Sequence, residues 1–293
     1  MVLLDGKALA EEIKAEIKAE VEDFVLSGKR APHLVAVLIG EDPASKSYVG
    51  NKVKSCEQVG FRSTLIERSS ETSEEELLEI IERLNKAEDV DGFIVQLPLP
   101  DHIDEEKINL SINYAKDVDG FHPVNFGRMT LGLPAFLPAT PQGILFFLDR
   151  YNIETSGKKC VVVGRSNIVG LPASILLSQK RSVGNCTVTM VHSRTQNLED
   201  EIKSADILVA AIGKPYFITA DMIKEGAVVI DVGTNRIEDS SRKRGWRLVG
   251  DVDFPNAKEK CSYITPVPGG VGPMTVTSLL INTLKSAKKE IYT

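Results

Sequence analysis

Tyr48 and Lys52 are spaced i, i+4, which puts both on one face of a helix. Such a pair has more than one reading. It suits an ordinary exposed helix with an amphipathic ring and a solvated ammonium. It also suits dehydrogenases that use a tyrosine acid, but there the pair follows the glycine turn. Here it lies far upstream of Gly164, in another stretch of alternating strands and helices. Gln96 closes the apolar run Phe93-Ile-Val-Gln. Ligands of an open parallel sheet bind outside the carboxyl ends of its strands, so a glutamine there, before Pro98 and Pro100, is expected to face a cleft. Lys116-Asp-Val-Asp-Gly120 sets the carboxylate of Asp119 before a glycine, a dipeptide that also makes common turns.

A second group of residues suits a nucleotide. Cys160-Val-Val-Val-Gly164-Arg-Ser-Asn-Ile-Val-Gly170 reads as a strand, a glycine turn and a helix start. Gly164 and Gly170 let the backbone approach a pyrophosphate, and a helix start offers unpaired N–H groups. The spacing departs from G-x-G-x-x-G, so the motif alone is weak. The next strand ends in His192-Ser-Arg-Thr195, where NAD enzymes usually place an acid for the ribose hydroxyl. Ser193 and Arg194, with Arg165 in the glycine turn, suit a 2′-phosphate instead, because guanidinium binds phosphate through paired donors. NADP is therefore expected over NAD. Arg194 taken singly also reads as a plain surface charge. Six of the ten residues from Pro266 to Thr275 are proline or glycine. That loop is shaped by its prolines and bare at its glycines, and it runs straight into an apolar helix rather than a polar linker.

The elements that must position these groups alternate. Residues 7–27 carry Leu9, Ile13, Ile17, Val21 and Val25 every four positions and read as an amphipathic helix. Buried strands follow at 33–39 and 91–97 and a further strand at 61–67, with helices at 43–59 and 73–84, the latter opened by a Ser73/Glu76 capping box. Loops and short helices fill 98–138, and Thr140-Pro141 opens a helix through Leu148. Apolar runs at 160–163, 187–191, 207–211 and 228–232 repeat the alternation, which implies parallel βαβ units. The expected organisation is residues 1–140 with a terminal helix from about 273 to 293 as one domain, and 141–267 as a Rossmann-type nucleotide-binding domain.

The chain has 293 residues, 42% of them hydrophobic and 26% charged, enough for one large or two medium cores. A formal charge of −6 leaves no footprint for nucleic acid or an anionic membrane. No apolar run approaches the ~20 residues of a membrane span, and no secretory leader is expected from the first residues. The cysteines and histidines are scattered without metal spacing, so no metal site and reduced thiols in a cytoplasmic protein are expected.

Together these segments resemble the bifunctional methylenetetrahydrofolate dehydrogenase/cyclohydrolase family. The matching stretches are Tyr48-Val-Gly-Asn-Lys52-Val-Lys54, Asp91-Gly-Phe-Ile-Val-Gln-Leu-Pro-Leu-Pro100, Lys116–Gly120, Gly164–Gly170, His192–Thr195 and Pro266–Thr275, in the family's order. The resemblance implies two α/β domains flanking a cleft that holds the folate. It implies oxidation of 5,10-methylenetetrahydrofolate by NADP⁺, then hydrolysis of the methenyl product to 10-formyltetrahydrofolate, one-carbon chemistry that feeds purine biosynthesis. By the same resemblance Lys52, Tyr48 and Gln96 serve catalysis, with Tyr48 stacking on the aminobenzoyl ring. Asp119 holds the pterin, and Pro268, Gly269 and Gly270 line the folate side. Gly164, Arg165, Ser166, Gly170, Ser193 and Arg194 hold NADP, and the chain is a homodimer. The segment 178–185 is slightly longer than the family pattern and adds Lys180 and Arg181. Two other classes fit parts of the pattern: a non-catalytic NADP- or folate-binding module, and a dehydrogenase of another small substrate on the same plan. A module of the first kind would be free to lose Lys52, and the Gln-Leu-Pro-Leu-Pro and Pro-Gly-Gly-Val-Gly-Pro runs argue against the second.

Overall fold

The computed structural model describes residues 1–242 and 244–292. The chain forms two compact units. One comprises Glu11–Ala139 and the stretch from Val276 onward; the other comprises Met1–Ala10 and Thr140–Thr275.

The first unit is built on a three-stranded parallel sheet in the order Arg62–Arg68, His33–Ile39, Gly92–Val95. The middle strand, His-Leu-Val-Ala-Val-Leu-Ile, is buried at every position, as a strand covered on both faces must be. The helix Glu74–Lys86 buries Leu77, Ile80, Ile81 and Leu84 at helical spacing against Val35, Val37 and Phe93. Ser73 caps it: its hydroxyl accepts from the Glu76 amide while the Glu76 carboxylate accepts from the Ser73 amide. On the helix Gly6–Leu26, Ile13, Ile17 and Val21 are buried, but Val25, expected on the same stripe, is 43% exposed. A strict four-residue repeat advances about 40° per step on an α-helix, so Val25 has drifted about 160° from Leu9.

The second unit carries a six-stranded parallel sheet. Its spatial order is Val2–Leu3, Tyr263–Ile264, Val228–Asp231, Ile207–Ala210, Lys159–Val163, Thr187–Val191. Counted from Lys159–Val163, five of these strands run 2-1-3-4-5, a doubly wound order. The chain reverses direction between Lys159–Val163 and Ile207–Ala210, and the crevice outside that switch point is where such sheets bind nucleotides. An antiparallel hairpin, Asn235–Glu238 with Trp246–Val249, stands apart from the sheet.

Residues 1–10, expected with the first domain, belong to the second unit. Val2 and Leu3 pair with Tyr263 and Ile264, and the Asp5 amide donates to the Tyr151 hydroxyl at 3.0 Å. A two-residue strand is too short to show a period of two, which is why its sequence does not announce it. Among the described residues, no helix is long and apolar enough to cross a membrane.

Candidate functional site

In the first unit, the helix Pro43–Gln58 begins with Asp42 as its cap, whose carboxylate accepts from the Ser45 amide and hydroxyl, and with Pro43 in its first turn. That start fixes the phase of the helix and sets Tyr48 and Lys52 on one face. Lys52 is only 5% exposed, and its Nζ lies 4.6 Å from the centre of the Tyr48 ring. The amine donates to Oε1 of Gln96 at 3.3 Å. Gln96 sits one residue beyond the strand Gly92–Val95, pinned there by its amide bond to Val37 O. Its Nε2 donates to Leu97 O at 2.6 Å, which turns the amide oxygen toward Lys52.

Asp119 reaches the same place by a different route. Residues 116–118 run beside Gly92–Val95: the Phe93 amide donates to Lys116 O, and Phe93 bridges Asp117. Asp117, which sequence reasoning passed over, is the buried anchor of this loop. It accepts from the Phe121 and His122 amides and from Asn125 Nδ2. Asn282 Nδ2 closes the loop from the last helix, donating to Val118 O and Leu137 O. Burial pushes the Lys52 ammonium below the usual lysine range, although the Asp119 charge pulls the other way. Burial pushes the Asp119 carboxyl up, against the pull of Lys52. The buried amine is thus met by a neutral amide oxygen and a ring, with burial weakening its hold on a proton.

In the second unit, Gly164 follows the strand Lys159–Val163 with φ +131°. A Cβ there would collide with Ala211 O across the switch point, so the position requires glycine for conformation and for space. Gly170 opens the helix Gly170–Ser178. The Ser166 hydroxyl accepts from the Val169 and Gly170 amides at 3.2 and 3.4 Å, bracing the turn. Arg165, Ser193 and Arg194 are exposed, and among the described residues neither guanidinium forms an ion pair. These donors suit a phosphorylated nucleotide. Pro268, Gly269 and Gly270 precede the helix Val271–Ala287; Gly269 has φ +107°, and a Cβ on Gly6 would collide with Gly270 O. Arg181, in the segment 178–185, is pulled below the usual arginine value by burial, and its carbonyl accepts from Asn185 Nδ2.

A doubly wound sheet with a bare glycine turn and free guanidinium groups at its carboxyl edge, together with a second α/β unit holding a buried lysine, defines a two-unit nucleotide-dependent enzyme. Residues 4–119 match the family described as tetrahydrofolate dehydrogenase/cyclohydrolase, catalytic domain, and residues 138–291 match its NAD(P)-binding domain. The chain is 58% identical over 292 residues to the bifunctional protein FolD of Bacteroides fragilis, covering 100% of both. A crystal structure of the bifunctional enzyme FolD of Campylobacter jejuni superposes with a TM-score of 0.92 at 45% identity, covering 99% of each chain. The Trypanosoma brucei dehydrogenase-cyclohydrolase, solved with NADP cofactor and an inhibitor, superposes with a TM-score of 0.93 at 39% identity, covering 100% of this chain and 99% of that one. The chain belongs to the tetrahydrofolate dehydrogenase/cyclohydrolase family.

Proposed function

We propose that Lys52, Tyr48, Gln96 and Asp119 carry the substrate chemistry of this chain, and that Gly164, Arg165, Ser166, Gly170, Ser193 and Arg194 hold its cofactor. The chain is a bifunctional enzyme: a methylenetetrahydrofolate dehydrogenase that uses NADP, and a methenyltetrahydrofolate cyclohydrolase. NADP⁺, when bound, supplies the acceptor for the hydride of the 5,10-methylene carbon. Asp119 accepts the paired N–H donors of the pterin's aminopyrimidine edge. Tyr48 gives the aminobenzoyl ring a face to stack on, and Pro268, Gly269 and Gly270 offer a bare wall to the folate.

Hydrolysis of the methenyl cation needs proton transfer, which hydride transfer does not. Water oxygen bonds to the methenyl carbon, the bond from that carbon to N5 breaks, one proton goes to N5 and one leaves. A free lysine is protonated near neutrality and a poor base. Lys52, desolvated and beside a substrate that is itself a cation, takes that proton. Gln96 orients the amine without adding charge; a carboxylate in its place would hold the ammonium protonated. The observation that carries this reading is the buried Lys52 Nζ donating to Gln96 Oε1 at 3.3 Å over the Tyr48 ring. The protein is expected to be a cytoplasmic homodimer, which sedimentation of the purified chain tests for the dimer.

The reading as a whole is tested by spectra of the purified protein with 5,10-methylenetetrahydrofolate and either NADP⁺ or NAD⁺. Reduced nicotinamide with NADP⁺, faster than with NAD⁺ and without lasting methenyl cation, is the expected result. No reduction with either cofactor would leave a binding module or a different substrate.

A further inference from the structure

Two buried aspartates of the second unit hold each other's loops. Asp231 ends the strand Val228–Asp231 and is 2% exposed; Asp251 is fully buried. Oδ1 of Asp231 accepts from the Gly233 and Asp251 amides at 2.9 and 3.0 Å, and its Oδ2 accepts from Val252 at 2.9 Å. Oδ2 of Asp251 accepts from the Ile212 and Gly213 amides at 2.7 and 3.0 Å. Its Oδ1 accepts from the Lys214 amide at 2.9 Å and from Asn235 Nδ2 at 2.8 Å. The contact is reciprocal in space as well. A Cβ on Gly233 would collide with the Asp251 carboxylate, and one on Gly250 with the Asp231 carboxylate.

What Asp251 gathers is a particular segment. Residues 211–214 follow the strand Ile207–Ala210 and form one lip of the switch-point crevice; the glycine turn from Gly164 to Gly170 forms the other. The two lips touch, since the Ala211 amide donates to Val163 O at 2.8 Å and Gly164 has no room for a side chain beside Ala211 O. Three successive amides, of residues 212, 213 and 214, all point at one carboxylate. A buried anion is costly unless its lone pairs are used, and here four donors use them. We propose that Asp251 is a positioning residue for the nicotinamide nucleotide: its carboxylate, seated by the loop that Asp231 holds, fixes the backbone of the lip opposite the glycine turn. The inference rests on NADP binding at the carboxyl edge of this sheet.

The Asp251→Asn variant tests it in the full chain. Asparagine has the same shape, but its amide group would face N–H donors, so the lip must shift. Three quantities are measured: the Kd for NADP⁺ by titration calorimetry, the split of KM and kcat for NADP⁺, and hydrolysis of 5,10-methenyltetrahydrofolate without cofactor. The single tryptophan, Trp246, lies in this unit and reports its native state by emission. The expected result is a Kd and KM for NADP⁺ raised about tenfold, the value of one unsatisfied buried donor. Cofactor-free hydrolysis and Trp246 emission stay as in the wild type. A wild-type Kd in a natively emitting variant overturns the inference, and so does an equal loss of cofactor binding and cofactor-free hydrolysis. If Asp251→Asn does not fold, Asn235→Ala, which removes one of the four donors, is read by the same calorimetry: a weakened Kd supports the inference and an unchanged one overturns it. Absence of NADP⁺ binding by the wild type overturns the cofactor assignment and the inference together; wild-type binding with an unchanged variant Kd overturns the inference alone.

Discussion

Burial disfavours the charged form of Lys52, and the base role proposed for it rests on that desolvation. Its neighbours are a ring, an amide oxygen and the Asp119 carboxyl, which burial pushes up and the Lys52 charge pulls down. Because burial lowers its pKa, the limb of cyclohydrolase activity that rises with pH belongs below the usual lysine value. In Gln96→Glu the added carboxylate stabilises the ammonium, so that limb moves to higher pH and turnover at neutral pH falls; a limb that stays in place or moves down contradicts the role given to Gln96. Asp119→Ala is expected to abolish both reactions through lost folate binding, read as folate Kd by calorimetry, with unchanged affinity as the contrary result. Arg165→Ala with Ser193→Ala removes charge-assisted contacts worth about 2 kcal/mol each, so the preference for NADP over NAD should fall by more than about tenfold in kcat/KM. A double variant that keeps the preference rules both residues out. These residues were legible because chemistry sets their surroundings. A tyrosine and a lysine four apart, a glutamine before two prolines and an arginine where an acid is usual are visible without a fold. Asp117, Asp231 and Asp251 were not legible, because their partners are backbone amides and nothing in an amide's sequence marks the acid that holds it.

At the scale of elements, the sequence spoke clearly where burial on both faces leaves an apolar run. His33–Ile39 and Lys159–Val163 are of this kind. It was silent where a strand has two residues, as at Val2–Leu3, or is four residues long without a buried apolar run, as in Asn235–Glu238 and its partner Trp246–Val249. Strand ends also moved. Gln96 lies one residue past Val95 rather than inside the strand, and this small shift is what frees its side chain to turn toward Lys52. The capping box of Glu74–Lys86 gives an element-scale prediction. Ser73→Ala leaves the Glu76 amide without its acceptor and should lower stability by about 1 kcal/mol in urea unfolding, with both activities intact. A loss of activity at unchanged stability would show that this helix does more than support the sheet.

For the whole molecule, the pH dependence of stability follows from its buried acids. Burial pushes the Asp117 carboxyl up to about 7, above its value in an unfolded chain. Between about pH 4 and 7 the unfolded chain has released this proton and the folded chain still holds it, so this acid's contribution to stability falls as pH rises through that window and levels off above it. Asp117→Asn stays neutral throughout. The stability of the wild type relative to this variant should therefore decline from pH 4 to pH 7, by at most about 4 kcal/mol. A difference in thermal midpoint that is flat or rises across the window contradicts the assignment. The central claim is that one chain performs both reactions and that Lys52 serves only the second. Lys52→Met, given 5,10-methylenetetrahydrofolate and NADP⁺ and followed by absorbance, tests it most directly. Reduced nicotinamide should still form while the methenyl cation accumulates, with cyclohydrolase turnover down at least about 100-fold; methenyl cation consumed at the wild-type rate would contradict the account.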